Sequence, residues 1–351
     1  TGMAGFIGFH VAKNLASRGD NVVGLDNLND YYDPRLKKAR LQELGFACSQ
    51  LTPGAILQST RYPNLRFMTG DITDMALLTR LFQTHTFTAV CHLAAQAGVR
   101  YSCENPAAYV QTNLVGFTNL LECLRQHKVT NLCFASSSSV YGLNQQQPFS
   151  PHHHTDHPVS LYAATKKSNE MLAHAYSHLY GIACTGLRFF TVYGPWGRPD
   201  MAPMLFAQSI LAGKPITVYN NGNMWRDFTY VADVAKATIA ILDNPATACS
   251  EWDAKFPTPA RSSAPFRLAN IGASAPIRLG DFIGFLEKYL GKKALINPAP
   301  IPPGDVQSTH ADTQDLTAHI GMHPTIMLEE GIQEFVTWYT QYFSSLASEH
   351  S

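Results

Sequence analysis

No apolar stretch in this sequence reaches the ~18 residues that a helix needs to cross a bilayer, and no signal-peptide pattern opens it. A charge excess is also missing. Lys plus Arg number 26 and Asp plus Glu 26, and charged residues make up only 15% of the chain. That balance gives no electrostatic reason to expect nucleic acid or a membrane surface as a partner. Paired cysteines are lacking too. The seven cysteines (48, 91, 103, 123, 133, 184 and 249) are odd in number and include no C-x-x-C. Cys91, Cys133 and Cys184 lie in apolar runs and read as small buried hydrophobes. A reducing compartment follows, so a cytoplasmic location is expected. His152-His153-His154 sits in a Pro- and Ser-bounded loop without the spacing of a ligand set, and no metal is expected.

What is present suits a large folded core. The 351 residues are 45% hydrophobic, enough for one large or two moderate domains. Thr1-Gly2-Met-Ala-Gly5-Phe6-Ile7-Gly8 opens on glycines three apart, followed by a helix to Arg18, a Gly19-Asp20 stop and an apolar strand ending at Asp26. Glycines permit a tight turn and close approach of backbone amides to a pyrophosphate, and the helix N-terminus favours its charge. Asp26, 18 residues beyond Gly8, suits a ribose diol. The strand that should precede such a loop is not in the sequence, and a truncated start is expected. An α/β alternation continues. Helices are expected over 34–44 and 75–83, a loop-rich insertion over 45–63, and strands over 65–70, 89–93, 132–135 and 182–188. The basic cluster Arg35-Leu-Lys37-Lys38-Ala-Arg40 reads as the solvated face of one helix. Long helices are expected over roughly 104–126 and 160–180. Nearly continuous apolar strands predict a parallel sheet covered on both faces, whose ligands sit at the strands' carboxyl ends. Asp71-Ile72, Leu93-Ala94-Ala95 and Ser136-Ser137-Ser138-Ser139 all lie at such ends.

Beyond Phe190 the pattern shifts to Gly, Pro and aromatics in Tyr193-Gly-Pro-Trp-Gly-Arg198-Pro-Asp200, then to shorter elements. A turn is expected over 222–226 and a surface excursion over 244–265. The division expected is 1–190 for a dinucleotide-binding Rossmann domain and 191–345 for a smaller, mainly substrate-binding lobe with chain crossings between them.

The chemistry centres on Ser160-Leu-Tyr162-Ala-Ala-Thr-Lys166. Ser160 can cap a helix on which Tyr162 and Lys166, at i and i+4, share a face. A phenol with pKa about 10 is a poor base at neutral pH, and a fixed positive charge beside it favours the phenolate. A surface Tyr beside a surface Lys gives the same spacing, so the pair needs the rest of the chain.

With the glycine loop, Asp26, Asp71-Ile72 and the serine strand end in order, nearly the whole chain resembles the extended short-chain dehydrogenase/reductases. Asp156 to Lys167 and Leu187-Arg-Phe-Phe-Thr191-Val-Tyr-Gly-Pro-Trp-Gly-Arg198-Pro-Asp-Met201 are most similar to nucleotide-sugar 4-epimerases acting on UDP-glucuronate. The resemblance implies bound NAD at Gly2, Gly5, Phe6, Ile7, Gly8, Asp26, Asn27, Asp71, Ile72, Leu93, Ala94, Ala95, Asn113, Tyr162, Lys166 and Phe189. It implies Tyr162 as base, Lys166 as its helper, Ser137 and Ser138 at the sugar O4, and Thr191 and Arg198 at a uronate carboxylate. Arg226 would hold the diphosphate with help from Arg100, and Asp305 the uridine ribose. Pro302 stands where UDP-galactose epimerases carry an Arg. Ser138 and Ser139 stand where related dehydratases place Asp-Glu and decarboxylases usually Glu, which argues against both chemistries. A UDP-hexose 4-epimerase, a UDP-glucuronate decarboxylase and a non-catalytic dinucleotide sensor remain alternatives. The two long helices resemble the pair through which relatives dimerise as a four-helix bundle.

Overall fold

The glycine loop leads directly into α1 (Phe6–Arg18), which Gly19 ends. The computed structural model describes residues 1–301 and 307–348. The next elements are β1 (Val22–Asp26), α2 (Pro34–Glu43), β2 (Ile56–Gln58), β3 (Leu65–Thr69), α3 (Met75–Thr84) and β4 (Val90–His92). Asp33 and Asp74 cap α2 and α3, accepting from Arg35 N and Leu77 N at 2.9 Å each.

One long helix over 104–126 does not form. In its place stand α4 (Tyr101–Glu104), α5 (Pro106–Tyr109), a π-helical turn over Val110–Gly116 and α6 (Phe117–Gln126). Pro106 disfavours the helical region for the residue before it, and Asn105 accordingly leaves it at φ −131°, ψ 69°. Then follow β5 (Asn131–Ser137), α7 (Leu161–Tyr180), β6 (Ala183–Phe189), β7 (Thr191–Tyr193), α8 (Ala202–Leu211), β8 (Pro215–Tyr219), β9 (Trp225–Tyr230) and α9 (Val231–Asp243). The chain closes with β10 (Phe266–Ile271), β11 (Pro276–Arg278), α10 (Leu279–Leu290), β12 (Leu295–Ala299), α11 (Gln314–Ile320) and α12 (Leu328–Ser348). The turn expected over 222–226 is shorter, because Trp225 and Arg226 already pair in β9 with Arg278 and Ile277.

The central strands form two hydrogen-bonded groups, β1-β3-β2 and β10-β6-β5-β4, parallel throughout except for β2. Thr1 and Gly2 bridge them. Gly2 N donates to Leu25 O at 2.8 Å, the amino group of Thr1 to Cys91 O at 2.8 Å, and Leu93 N to Thr1 O at 3.2 Å. Helices cover both faces. Leu78 and Leu81 of α3, Phe117, Leu120 and Leu124 of α6 and Ala173 of α7 pack on one side. On the other, α1 and α9 meet through Val11, Leu15, Ala235 and Ile239. Full burial of a Leu or Phe contributes roughly 1.5–3 kcal/mol, so these layers hold the strand ends rigidly. The fold is the doubly wound α/β arrangement that the sequence pattern predicts. A second core joins α8, α10, α12, β8 and β9 through Phe206, Ile210, Val218, Phe228, Phe282 and Phe335. β10, α9 and α11 return from this later stretch to the central layers.

Only half of the basic cluster is a solvated face: Arg35 and Lys38 stay exposed, but Arg40 is fully buried and Lys37 nearly so. Arg40 Nη1 donates to Ala4 O (2.9 Å) in the glycine loop and to Tyr32 Oη (2.7 Å), while Nη2 donates to Trp196 O (2.7 Å). Lys37 Nζ donates to Asn29 O at 2.7 Å. Charge alone suggested solvent, but carbonyls delivered from distant loops satisfy these donors.

Candidate active site

A cavity of about 1050 Å³ lies where the carboxyl ends of β1, β4, β5 and β6 face the later lobe. Its floor is the glycine loop. Gly2 has φ +74°, and a Cβ there would stand 2.6 Å from Ala94 N; a Cβ on Gly8 would run into Gly2 O. The first turn of α1 has neither a side-chain cap nor an acidic residue, so its amides are left for an anion from outside the helix. Asp26 closes one end, its Oδ2 accepting from Ala4 N (3.1 Å) and Oδ1 from Leu28 N (2.9 Å). Uncapped amides beside a fixed carboxylate fit a pyrophosphate joined to an unphosphorylated ribose. Phe6, Ile7, Asn27, Ile72, Leu93, Ala94, Ala95 and Phe189 also line this cavity.

Asp71 and Asn113 do not line it. Asp71 accepts from Asn27 Nδ2 at 2.7 Å and from Thr73 N at 2.8 Å. Asn113, buried in the π turn, accepts from Gln96 N (2.8 Å) and donates to Gln96 O (3.1 Å) and Thr165 Oγ1 (3.0 Å). Asn113 thus holds the backbone of Gln96, and Asp71 the side chain of Asn27, both of which line the cavity.

The catalytic face comes from α7 and β5. Ser160 Oγ accepts from Ala163 N at 3.1 Å, fixing the first turn of α7 and thereby Tyr162 and Lys166 in the cavity wall. Burial raises the Tyr162 phenol pKa from its ordinary value; a hydrogen bond from Ser137 and the charge of Arg198 pull it back. Arg198 thus acts on the phenol as a cation that the spacing in the sequence did not mark. Lys166, one turn further along α7, donates through Nζ to Ala135 O at 2.9 Å, and burial lowers its pKa to about 7. An unfolded lysine keeps its proton to about pH 10.4. Between pH 7 and that value unfolding takes up a proton, so stability rises with pH. Thermal melts of wild type and Lys166→Met across this window should show a shallower rise in the variant. Parallel curves would show that Lys166 holds its proton when buried.

Ser137, Ser138, Thr191, Arg100, Arg198 and Arg226 line the same cavity. Arg198 donates to Asp200 through Nε (3.0 Å) and Nη2 (2.5 Å). Arg100 Nη2 donates to Tyr219 Oη at 3.1 Å, and Arg226 Nη1 to Trp225 O and Gln307 O. Asp305 lies outside the described residues, as does Pro302. The loop carrying Arg198 is anchored from the cofactor side by Arg40 and by His10 Nε2, which bonds Pro195 O at 3.0 Å. Burial lowers the His10 pKa to about 4, so it makes this bond as a neutral imidazole. Sequence reading missed Tyr31, Asp200, Thr217 and Tyr219 in the cavity wall. Asp200 lay within the resembling Arg-Pro-Asp stretch, while Tyr31 carried no periodic or spacing signal.

A dinucleotide cradle joined to a Tyr–Ser–Lys group at parallel strand ends defines a cofactor-dependent α/β enzyme of the Rossmann type. The chain belongs to the NAD dependent epimerase/dehydratase family, whose profile matches residues 1–251. NAD is thus the cofactor for which the glycine loop and Asp26 are shaped. The chain is 50% identical over 343 residues to an uncharacterised 37.6 kDa protein of Escherichia coli O111:H-, covering 98% of each. It is 47% identical over 348 residues to UDP-glucuronate 4-epimerase 1 of Arabidopsis thaliana, covering 98% of this chain and 76% of that one. The structure of Bacillus cereus UDP-glucuronic acid 4-epimerase, solved with UDP-glucuronic acid and NAD, superposes with a TM-score of 0.80 at 30% identity, covering 97% of this chain and 98% of that one. Among the described residues no helix is long and apolar enough to cross a membrane, and no group of three or more His, Cys, Asp or Glu could hold a metal.

Proposed function

We propose that this protein is a UDP-glucuronate 4-epimerase, interconverting UDP-glucuronate and UDP-galacturonate through a 4-keto sugar. The observation that carries the reading is the meeting of Tyr162, Ser137 and Arg198 around one phenol, in a cavity whose other end fits NAD. The names of the plant and Bacillus relatives support it. NAD, when bound, supplies the hydride acceptor and donor. Tyr162 takes the O4 proton and returns it after the sugar has turned, and Ser137 hydrogen-bonds O4 and relays that proton. Ser138 offers a second hydroxyl at the same strand end. Arg226 and Arg100 face the diphosphate, and residues 191–345 form most of this sugar-nucleotide side.

Oxidation at C4 makes a β-keto acid, which loses CO2 once the carboxylate bond aligns with the carbonyl π system. An epimerase must hold the carboxylate out of that alignment, and Arg198 with Thr191 lies where it can. Neither position after Ser137 carries the acid that a dehydratase or decarboxylase would use. We further propose a homodimer through the stretch formed by the π-helical turn and α6 together with α7, on the strength of apolar Val115 in that turn and Met171 and Leu179 on α7, which stay exposed.

Incubation with UDP-glucuronate and, separately, UDP-galactose tests the reading, with products followed by NMR and CO2 by trapping. UDP-galacturonate without CO2 is expected. UDP-pentose with CO2 would make the enzyme a decarboxylase, turnover of UDP-galactose alone a hexose epimerase, and NAD binding without turnover a sensor. Arg198→Ala should lower epimerisation roughly tenfold or more and release some UDP-pentose. Unchanged rate and product would show that another group holds the carboxylate.

A further inference from the structure

Arg198 presents more donors than its protein partner uses. A guanidinium has five N–H groups in a fixed plane, arranged as a side fork from Nε and Nη2 and an end fork from Nη1 and Nη2. Asp200 occupies the side fork, at 3.0 and 2.5 Å. Nη1 makes no hydrogen bond among the described residues, and the second Nη2 hydrogen points with it. Asp200 is in turn held by Tyr31, whose Oη donates to Oδ2 at 3.0 Å from the segment between β1 and α2.

This arrangement is built rather than incidental. Arg198 and Asp200 are both partly buried, with side-chain exposures of 24% and 28%. Burial raises the Tyr31 pKa to about 12, so its proton stays in place to donate throughout the working range. The arginine's charge keeps the Asp200 carboxylate ionised despite burial. Tyr31 has no room to swing away on one side, since even a Cβ on Gly98 would collide with its hydroxyl. Tyr31, Arg198 and Asp200 all line the cavity that Tyr162 enters.

We infer that Asp200 and Tyr31 are positioning residues for uronate specificity: they clamp the side fork of Arg198 so that its end fork faces the substrate carboxylate. This rests on the proposed uronate 4-epimerase activity. A freely rotating arginine would follow the carboxylate as the 4-keto sugar turns, and would not hold it out of alignment. A clamped one gives a fixed bidentate seat. A neutral hexose has no carboxylate for this fork, so the clamp should matter only to uronates. When the seat fails, the C5–C6 bond of the 4-keto acid breaks. CO2 leaves, the electron pair passes to the C4 carbonyl as an enolate, and C5 takes a proton from water; the resulting UDP-4-keto-pentose becomes UDP-pentose when the hydride removed from C4 is returned to it.

The test compares wild type, Asp200→Asn, Tyr31→Phe, Arg198→Ala and the Arg198→Ala/Asp200→Asn double variant on UDP-glucuronate, recording KM, kcat and the ratio of UDP-pentose to UDP-galacturonate. Asp200→Asn should raise KM roughly tenfold and produce measurable pentose, and Tyr31→Phe should shift both the same way by a smaller factor. In the Arg198→Ala background, Asp200→Asn should add little, because its route of action is gone. Wild-type KM and clean product in both single variants would overturn the inference, as would an Asp200 effect that persists in full without Arg198. A merely structural role predicts lower melting temperature with an unchanged product ratio. If Asp200→Asn does not fold, Tyr31→Phe decides by the same ratio. Failure of wild type itself on UDP-glucuronate would sink the activity and not the clamp alone.

Discussion

Tyr162→Phe should abolish turnover of UDP-glucuronate, lowering kcat by roughly 10²- to 10⁴-fold, while leaving the fold and NAD binding intact. The ring lies edge-on to Tyr109 with centroids 6.2 Å apart, and Phe retains that packing. Only the oxygen that exchanges the O4 proton is lost. Because burial raises the phenol pKa, the phenolate fraction grows as pH rises, so wild-type kcat/KM should climb on the alkaline side. The variant should show no such limb. NMR assays across pH, alongside fluorescence titration with NAD, check both statements. A Phe variant that turns over at the wild-type rate would remove Tyr162 from the chemistry.

Glu170→Gln should cost about 3–5 kcal/mol of stability, a fall in Tm of several degrees or more. Glu170 on α7 and Arg188 on β6 are 2% and 0% exposed, and pair at 2.8 and 2.9 Å. Ser136 on β5 donates to the same carboxylate at 2.7 Å. Gln keeps the shape but leaves a buried guanidinium without its counter-charge. Removing both charges together, with Glu170→Leu and Arg188→Met, should recover most of the loss. The pH dependence has a definite sign. Burial pushes the Glu170 carboxyl up, but the charge and hydrogen bonds of Arg188 outweigh it and hold the folded pKa below the ordinary value. The pair's contribution is fully present above the unfolded value of about 4.3 and is lost as pH falls through the lower folded pKa. Melting curves between pH 3 and 7 should therefore converge for wild type and Glu170→Gln at the acid end, by the same linkage. A constant gap would show that the loss is steric. Lys166 sits one turn before Glu170, so this pair also seats the catalytic turn of α7 against β5.

Much of this site was legible in the residues because its signals are local. Ser160 caps α7 as the sequence reading expects and the helix ends at Tyr180, and the glycine triplet reads directly as loop and helix start. The apolar strands predicted the parallel sheet, and their carboxyl ends predicted where the cavity would lie. Asn113 and Asp71 were placed near the cofactor by resemblance, yet their side chains are taken up by Gln96, Thr165, Asn27 and Thr73. Strand β10 gave no local signal strong enough to assign, although it completes the central sheet beside β6.

The sequence by itself thus determined the fold class, the cofactor loop and the Tyr162–Lys166 face, since caps, turns and periodicity act within a few residues. Only the tertiary structure decided which charges act on which groups. Arg40 meets Trp196 across 156 residues and Tyr31 meets Asp200 across 169. It turned Arg40, one member of a basic run that looked solvated, into a buried tie between the cofactor loop and the Arg198 loop. It likewise brought Arg198 into the same cavity as the Tyr162 phenol, on which its charge acts, and gave Lys166 a strand carbonyl to donate to. The reason is physical: a buried charge takes whatever partner the packed chain delivers, and that partner carries no mark in the neighbouring sequence.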